Sequence, residues 1–307
     1  MDNELLLLDR IEVIKQINEK YDLEHNAYIS FSGGKDSTIL HYLIDMALPG
    51  NRIPRVFINT GIEYVDIVNF VKDLASNDDR FILIKPTQAI KPMLEKYGYP
   101  FKSKQHSHYL SIYQHSGRTA LSVKRYLGDI ESTTLFKCPK SLYYQFTDRF
   151  KIKVSELCCN KLKKDVAIRY EKQSNRPIAI LGLMQDEGGQ RASHKGCVIF
   201  SDNDNKILKK FKPLNPLTQN FEKWFIDKYH IQLCKLYYPP FNFKRTGCKG
   251  CPYSLDLQEQ LDIMEKYLPN ERKQCEMIWQ PIYEEYRRIG YRLKPHKQLD
   301  LFEFEGD

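Results

Sequence analysis

Residues 32–38 read SGGKDST and follow directly on an apolar run, Ala27-Tyr28-Ile29-Ser30-Phe31. A strand that stops at two glycines and then opens a helix, here over Ser37 to Met46, leaves a chain few folds to choose from. The glycines let the backbone come close to a phosphate. The free N–H groups and the dipole of the helix that follows attract its charge. The spacing is not that of a Walker A loop, which needs G-x-x-x-x-G-K-[ST]. The bland alternative is a polar strand–helix turn that binds nothing.

The rest of the chain supplies a setting for that turn. Apolar runs Arg55-Val56-Phe57-Ile58-Asn59, Phe81-Ile82-Leu83-Ile84 and Pro177-Ile178-Ala179-Ile180-Leu181 alternate with helical patterns near 64–76 and 87–97. Short apolar strands between helices predict an α/β fold, a parallel sheet covered on both faces, with ligands at the carboxyl ends of its strands. A helix is expected over 3–21, where Leu7, Ile11, Ile14 and Ile17 recur at helical spacing. Residues 98–155 break the rhythm and read as an insertion or lid. Residues 201–206, SDNDNK, read as a surface turn. We expect an N-terminal helix over 1–24, a nucleotide-binding domain over 25–212 and a helical lobe over 213–307. In the lobe Leu257, Leu261, Met264 and Leu268 mark one helix face, and Ile278, Ile282 and Tyr286 another; Gly290 is placed to cap the second helix and Pro281 to kink it.

At 307 residues and 42% hydrophobic, the chain can bury a substantial core. No apolar run is long enough to cross a bilayer, and MDNELLLLDR lacks the basic start of a signal peptide, so a cytoplasmic protein with no membrane partner is expected. The net charge of +8 suits a polyanionic partner, nucleotide or nucleic acid. Many of the lysines, among them Lys151, Lys153, Lys161, Lys163 and Lys164, serve equally as a solvated face. The sequence sets no oligomeric state.

The loop resembles the pyrophosphate loop of the ATP pyrophosphatase (adenine nucleotide alpha hydrolase) superfamily, S-G-G-x-D-S. A second turn, Asn59-Thr60-Gly61-Ile62-Glu63, narrows the match to the phosphoadenosine phosphosulfate (PAPS) reductase branch, whose corresponding turn reads roughly D-T-G-x-E. Leu181-Gly182-Leu183-Met184-Gln185-Asp186-Glu187, leading to Arg191, is similar to the branch's G-x-R-x-x-E-S, with Met184 where an arginine is common. Pro216-Leu217-Thr218 and the stretch from Trp224 to Tyr237 are a looser match. The resemblance covers residues 25–255. It implies an adenine-nucleotide site built from Ser32, Gly33, Gly34, Asp36, Ser37, Thr38, Thr60, Gly61, Glu63 and Gly182. Lys35, Asp36 and Arg191 are the implied catalytic residues, with Mg²⁺ held by Asp36.

Eight cysteines in a chain expected to be reduced point to metal or catalysis wherever they cluster. Cys158 and Cys159 are adjacent; Cys248 and Cys251 form a C-x-x-C followed by Pro252. Neighbouring thiolates converge poorly on one tetrahedral ion, whereas a cubane offers each its own iron. A 4Fe–4S cluster on these four is the favoured reading, with zinc, or bare thiols and a regulatory disulfide, as alternatives. The pattern resembles the ligand set of assimilatory adenylyl-sulfate (APS) reductases and of the sulfurtransferase of DNA phosphorothioation. Cys138, Cys197, Cys234 and Cys275 read as buried apolar residues, Cys138 and Cys197 being the two to watch. His106, His108 and His115, with Lys102, Lys104, Arg118, Tyr109 and Tyr113, read as loop polars or as contacts to a nucleic-acid backbone and its bases. His41 reads as structural.

The resemblance stops short of the reductive nucleophile, a cysteine in a motif like E-C-G-x-H. Residues 288–307 hold no cysteine, and Cys275 sits in Lys273-Gln274-Cys275-Glu276-Met277. The expectation is therefore an enzyme that uses ATP to adenylate an acceptor for sulfur transfer, with nucleic acid as an acceptor and a sulfur donor such as a cysteine desulfurase. A PAPS or APS reductase is the first alternative, and a non-catalytic nucleotide or cluster sensor the second.

Overall fold

A computed structural model describes residues 2–131, 136–187, 196–201 and 204–295. In chain order the main elements are α1 (Asn3–Tyr21), α2 (Leu23–Asn26), β1 (Ala27–Phe31), α3 (Lys35–Ala47), β2 (Arg55–Ile58), α4 (Val65–Asn77) and β3 (Phe81–Ile84). Then come α5 (Ile90–Tyr97), α6 (Lys104–Ser116), α7 (Leu121–Leu127), α8 (Asp165–Ser174), β4 (Ile178–Ile180), β5 (Val198–Ser201) and β6 (Asp204–Phe211). Helices α9 (Gln219–Tyr229), α10 (Leu257–Tyr267) and α11 (Pro269–Arg288) complete the chain. It divides into two compact units, residues 1–87 with 161–248, and residues 88–160 with 249–307. The stretch expected as a C-terminal lobe is thus shared: 213–248 lie in the first unit and 249–307 in the second.

The first unit is built on a six-stranded sheet ordered β3-β2-β1-β4-β6-β5. Five strands are parallel; β5 alone runs antiparallel, against β6. Alternation along β1 explains its burial on both faces. Ala27 and Ile29 join Ile39, Leu43, Ile180 and Phe211 on one side, and Tyr28 joins Val56, Tyr170 and Ala179 on the other. Because β1, β2, β4 and β6 run the same way, the turns after Phe31, Ile58, Ile180 and Phe211 all open at one edge of the sheet. The expected turn over 201–206 is corrected: β6 already begins at Asp204, and the connection over 202–203 lies outside the described residues. Leu208 is buried while Ile207 is exposed, a period-two pattern hidden among lysines.

Arg55 stands first in β2 and is 0% exposed. Its guanidinium donates to Asn51 Oδ1 at 2.9 Å and to His41 Nδ1 at 3.0 Å, and it pairs with Asp45. Accepting from Arg55 requires a neutral His41, and burial pushes the His41 pKa down to about 4. His106 in the second unit is buried between Tyr126 (2.9 Å) and Gln145 (2.7 Å) and is also lowered to about 4. Below pH ~6.5 the unfolded chain binds protons that these folded imidazoles refuse, so stability falls as pH drops from ~6.5 toward 4. Each histidine is expected to cost about 2–3 kcal/mol by pH 4.5. Urea midpoints against pH check this: His41→Asn should remove about half of the slope, and an unchanged slope would refute it.

The second unit is helical. Leu257, Leu261 and Met264 of α10 and Ile278, Ile282 and Tyr286 of α11 are buried, as their spacing predicts. Helix α11 runs unbroken through Pro281, and Gly290 follows its end at φ 61°. The Trp279 indole donates to the Lys249 carbonyl at 3.2 Å, the Tyr286 hydroxyl to the Pro252 carbonyl at 2.9 Å, and the buried Lys249 ammonium pairs with Glu271 at 2.8 Å. Residues 98–155, expected as an irregular lid, carry α6 and α7. No helix among the described residues is long and apolar enough to cross a membrane.

Candidate functional site

All of the sheet-edge turns that the sequence singles out belong to the first unit. Gly33 has φ 71°, and a Cβ there would stand 2.8 Å from Ile67 Cγ2 and 3.1 Å from Val71 Cγ2, so both conformation and space demand glycine. Gly34, at the N-cap of α3, has no side chain to accept from the helix's first N–H groups, so acceptors for them come from elsewhere in the chain or from a ligand. The hydroxyls hold the turn. Ser32 N–H donates to Ser37 Oγ at 3.1 Å, the two serine oxygens are 3.0 Å apart, and Ser37 and Thr38 hydroxyls donate to the Gly34 carbonyl at 2.8 and 3.0 Å. Ser37 and Thr38 are buried and serve the loop's shape.

Two partners of this loop come from far along the chain. Lys35 Nζ lies 2.9 Å from Glu222 Oε1 on α9, the lysine 33% and the glutamate 3% exposed. Burial raises the Glu222 pKa and the lysine opposes that shift. Above, the Lys35 N–H donates to the Tyr237 hydroxyl at 3.1 Å, and that oxygen is 2.6 Å from Thr246 Oγ1. Burial holds the Tyr237 phenol up at about 12, so it stays protonated. Asp36 acts electrostatically on both Glu222 and Tyr237. Neither Glu222 nor Tyr237 is legible as a site residue in sequence; each reads as one more member of an amphipathic or aromatic stretch.

The second turn is self-bracing. Glu63 Oε2 accepts from the Thr60 N–H at 2.8 Å and both carboxylate oxygens face the Thr60 hydroxyl at 2.9 Å. Lys163 lies 3.4 Å from Glu63. Asn59 Oδ1 accepts from Gly61 N–H at 3.1 Å, doing what an aspartate would do there. Gly61, at φ 84°, faces open space. Glu63 therefore holds the turn while Gly61 presents its backbone. After β4, Gly182 packs on the first turn of α3: a Cβ would meet the Asp36 carbonyl oxygen at 2.9 Å. Asp186 accepts from Gln219 N–H at 3.1 Å and so secures the start of α9. Arg191 lies outside the described residues. Directly after β6, Lys212 is 1% exposed, its ammonium without a hydrogen-bond partner among the described residues, and burial lowers its pKa. Nothing in a lysine-rich sequence marks it out.

The cysteines divide by reactivity. Cys275 is fully buried and its thiol is pushed up to about 12; burial pushes Cys138 up to about 11. Both are poor nucleophiles at neutral pH. Cys197 accepts from Arg10 at 3.4 Å. In the second unit Cys158 and Cys159 have sulfurs 4.0 Å apart, and these two and Cys251 all act electrostatically on the buried Tyr253 hydroxyl. The division between the units falls inside the C-x-x-C, after Cys248. Thiols are the right donors for iron–sulfur or zinc. Among the described residues, however, no three His, Cys, Asp or Glu side chains converge closely enough to hold a metal ion.

A parallel sheet with a glycine–hydroxyl loop at its carboxyl edge, opening the helix that follows, defines an α/β protein of the adenine nucleotide alpha hydrolase-like, pyrophosphate-loop type. The chain belongs to the phosphoadenosine phosphosulfate reductase domain family, which matches residues 26–254. An uncharacterised protein of Methanocaldococcus jannaschii is 32% identical over 103 residues, 31% of this chain and 25% of that protein, so the match spans about a quarter of that relative's length. Among solved structures, PAPS reductase from Candida auris in a phosphate complex covers 76% of this chain and 87% of its own at 13% identity and TM-score 0.45. The NH3-dependent NAD synthetase of Campylobacter jejuni covers 92% and 95% at 13% identity and TM-score 0.40. The U34-tRNA thiolase of Methanococcus maripaludis with its 4Fe–4S cluster covers 97% and 84% at 15% identity and TM-score 0.37.

Proposed function

We propose that the protein is an ATP pyrophosphatase-type enzyme that adenylates an acceptor for sulfur transfer, with nucleic acid as the acceptor. One observation carries the reading: a glycine–hydroxyl loop that opens α3 at the carboxyl edge of the sheet, with its lysine paired to a buried glutamate. An acceptor oxygen attacks the ATP α-phosphorus and pyrophosphate leaves; a sulfur nucleophile from a donor such as a cysteine desulfurase then displaces AMP. In this scheme Ser32, Gly33, Gly34, Ser37 and Thr38 form the β,γ-phosphate cradle, and Lys35 offsets charge developing on the departing pyrophosphate. Lys212 adds positive charge at the same sheet edge, and Arg191 is proposed as a further anion contact. Thr60, Gly61 and Gly182 line the nucleoside side, with Glu63 bracing its turn. Asp36 is the residue to hold Mg²⁺, which would supply charge neutralisation. Cys158, Cys159, Cys248 and Cys251 carry the thiols that a 4Fe–4S cluster, or zinc, would need, and the sulfur in this scheme comes from the donor itself.

The reductase reading needs a reactive thiol, and burial, which raises the thiol pKa of Cys275 and Cys138, counts against either in that role. Pyrophosphate release from ATP, measured with and without DNA or tRNA, tests the proposal; sulfite release from PAPS or APS with a thiol donor would instead establish the reductase. Asp36→Asn is expected to lower pyrophosphate release by about 10²–10³-fold; unchanged release would overturn the site. Anaerobically purified protein is expected to be brown with stoichiometric iron, and colourless protein with stoichiometric zinc would replace the cluster with zinc.

A further inference from the structure

The second unit contains an open cleft of about 340 Å³ between the strap that follows Phe146 and the end of α11. The residues 32–38 loop and its partners Glu222, Tyr237 and Gly182 belong to the other unit. Its charge is unbalanced. The one carboxylate in its wall, Glu285, is buried and fully committed: Arg288 forks onto it with Nε–Oε2 2.7 Å and Nη2–Oε1 2.8 Å, and the Tyr144 hydroxyl donates to it as well. Arg149 and Lys151, which also line it, make no ion pair among the described residues. Asp148, the acid beside them in sequence, acts on Tyr113 and does not line the cleft.

Aromatic surface is interleaved with this charge. Phe150, between the two cations, is half-buried and packs edge-on against Phe101 and Tyr144, with ring centroids 6.5 and 6.0 Å apart. The Arg288 guanidinium lies over the Tyr144 ring at 5.1 Å, held on its edge by Glu285, while its side chain remains 59% exposed. Two uncommitted cations beside anchored π-surfaces match the two faces of a nucleotide unit: phosphate to the cations, base to the aromatic and guanidinium planes. An open cleft lets a strand run past, which an enclosed pocket would not.

We propose that this cleft binds one nucleotide unit of a single-stranded nucleic acid, its phosphates on Arg149 and Lys151 and a base on Phe150 and the Arg288–Tyr144 stack. It deepens the reading above by locating the nucleic-acid acceptor on the chain. The test therefore reads binding without ATP, so the two can fail separately.

Fluorescence anisotropy with labelled 12-residue DNA and RNA strands, using the full chain, is the measurement. Arg149→Gln with Lys151→Gln should weaken binding at least tenfold and flatten the dependence of log K on log salt by about 1.4, the share of two phosphate contacts on a single strand. Phe150→Leu should weaken binding with little change in salt slope. Basal pyrophosphate release and thermal stability should stay at wild-type values in the double variant, whose exposed side chains hold nothing else. Preference for DNA or for RNA identifies the strand, and either supports the site. The proposal is overturned if wild type binds neither strand, if the variants bind as wild type does, or if inorganic phosphate, AMP or an acidic peptide competes as well as the strand.

Discussion

Gly182→Ala is expected to lower pyrophosphate release from ATP by about a hundredfold with only a modest loss of stability. The added methyl would stand 2.9 Å from the Asp36 carbonyl oxygen, 3.0 Å from its carbonyl carbon and 3.2 Å from the Ser37 nitrogen. All three are backbone atoms in the first turn of α3, so no side chain can swing away. The helix N-terminus must shift instead, and with it Lys35, Asp36 and the serine hydroxyls. A displacement approaching 1 Å at reacting groups costs about 10²-fold in rate. Gly182 has no left-handed backbone, so the unfolded and folded chains lose little else. Gly33→Ala differs on that point, because its φ of 71° and its contact with Ile67 add a stability cost of about 1 kcal/mol or more. Kinetics of ATP turnover alongside thermal melts separate the two. A Gly182→Ala enzyme within threefold of wild type would mean the loop tolerates the shift and does not set the rate.

Glu222→Gln is expected to lower turnover about tenfold and to remove an acid limb from the pH profile. In the wild type, burial raises the Glu222 pKa, so activity is lost as pH falls through that value and the carboxylate that holds Lys35 is neutralised. Glutamine keeps the shape and abolishes the titration, leaving a flat, lower profile. Removing one member of a buried pair costs about 3–5 kcal/mol, less here because Lys35 is 33% exposed and water screens it. A purely structural glutamate would lower the melting temperature and leave the pH limb in place. An unaltered limb in the variant would therefore dismiss Glu222 as a positioning residue.

Strands β1 to β4 were legible as short apolar runs set between helical patterns. Leu208 in β6 shows the limit: its alternation is masked by flanking lysines, and the sequence reads as a turn where a hairpin strand begins. Arg55 shows another. A charged residue opening an apolar strand looks like a solvent-facing end, yet Asp45, Asn51 and His41 take it in completely. The turn that the glycines, serines and threonine of residues 32–38 form was readable in the sequence. Glu63 was expected at the nucleotide turn, and the structure adds that its carboxylate bonds Thr60.

The strand–SGGKDST–helix unit follows from the sequence alone, because its geometry is local: the glycines set the turn, the hydroxyls close it and the helix begins where they end. What surrounds it follows only from the tertiary structure. Glu222 reaches Lys35, Tyr237 reaches the Lys35 amide and Gly182 reaches Asp36 across long stretches of chain. Those meetings depend on how helices pack against a sheet, and no spacing in the sequence encodes them. The same holds for the thiols: burial, which sequence does not state, decides that Cys275 and Cys138 stay protonated.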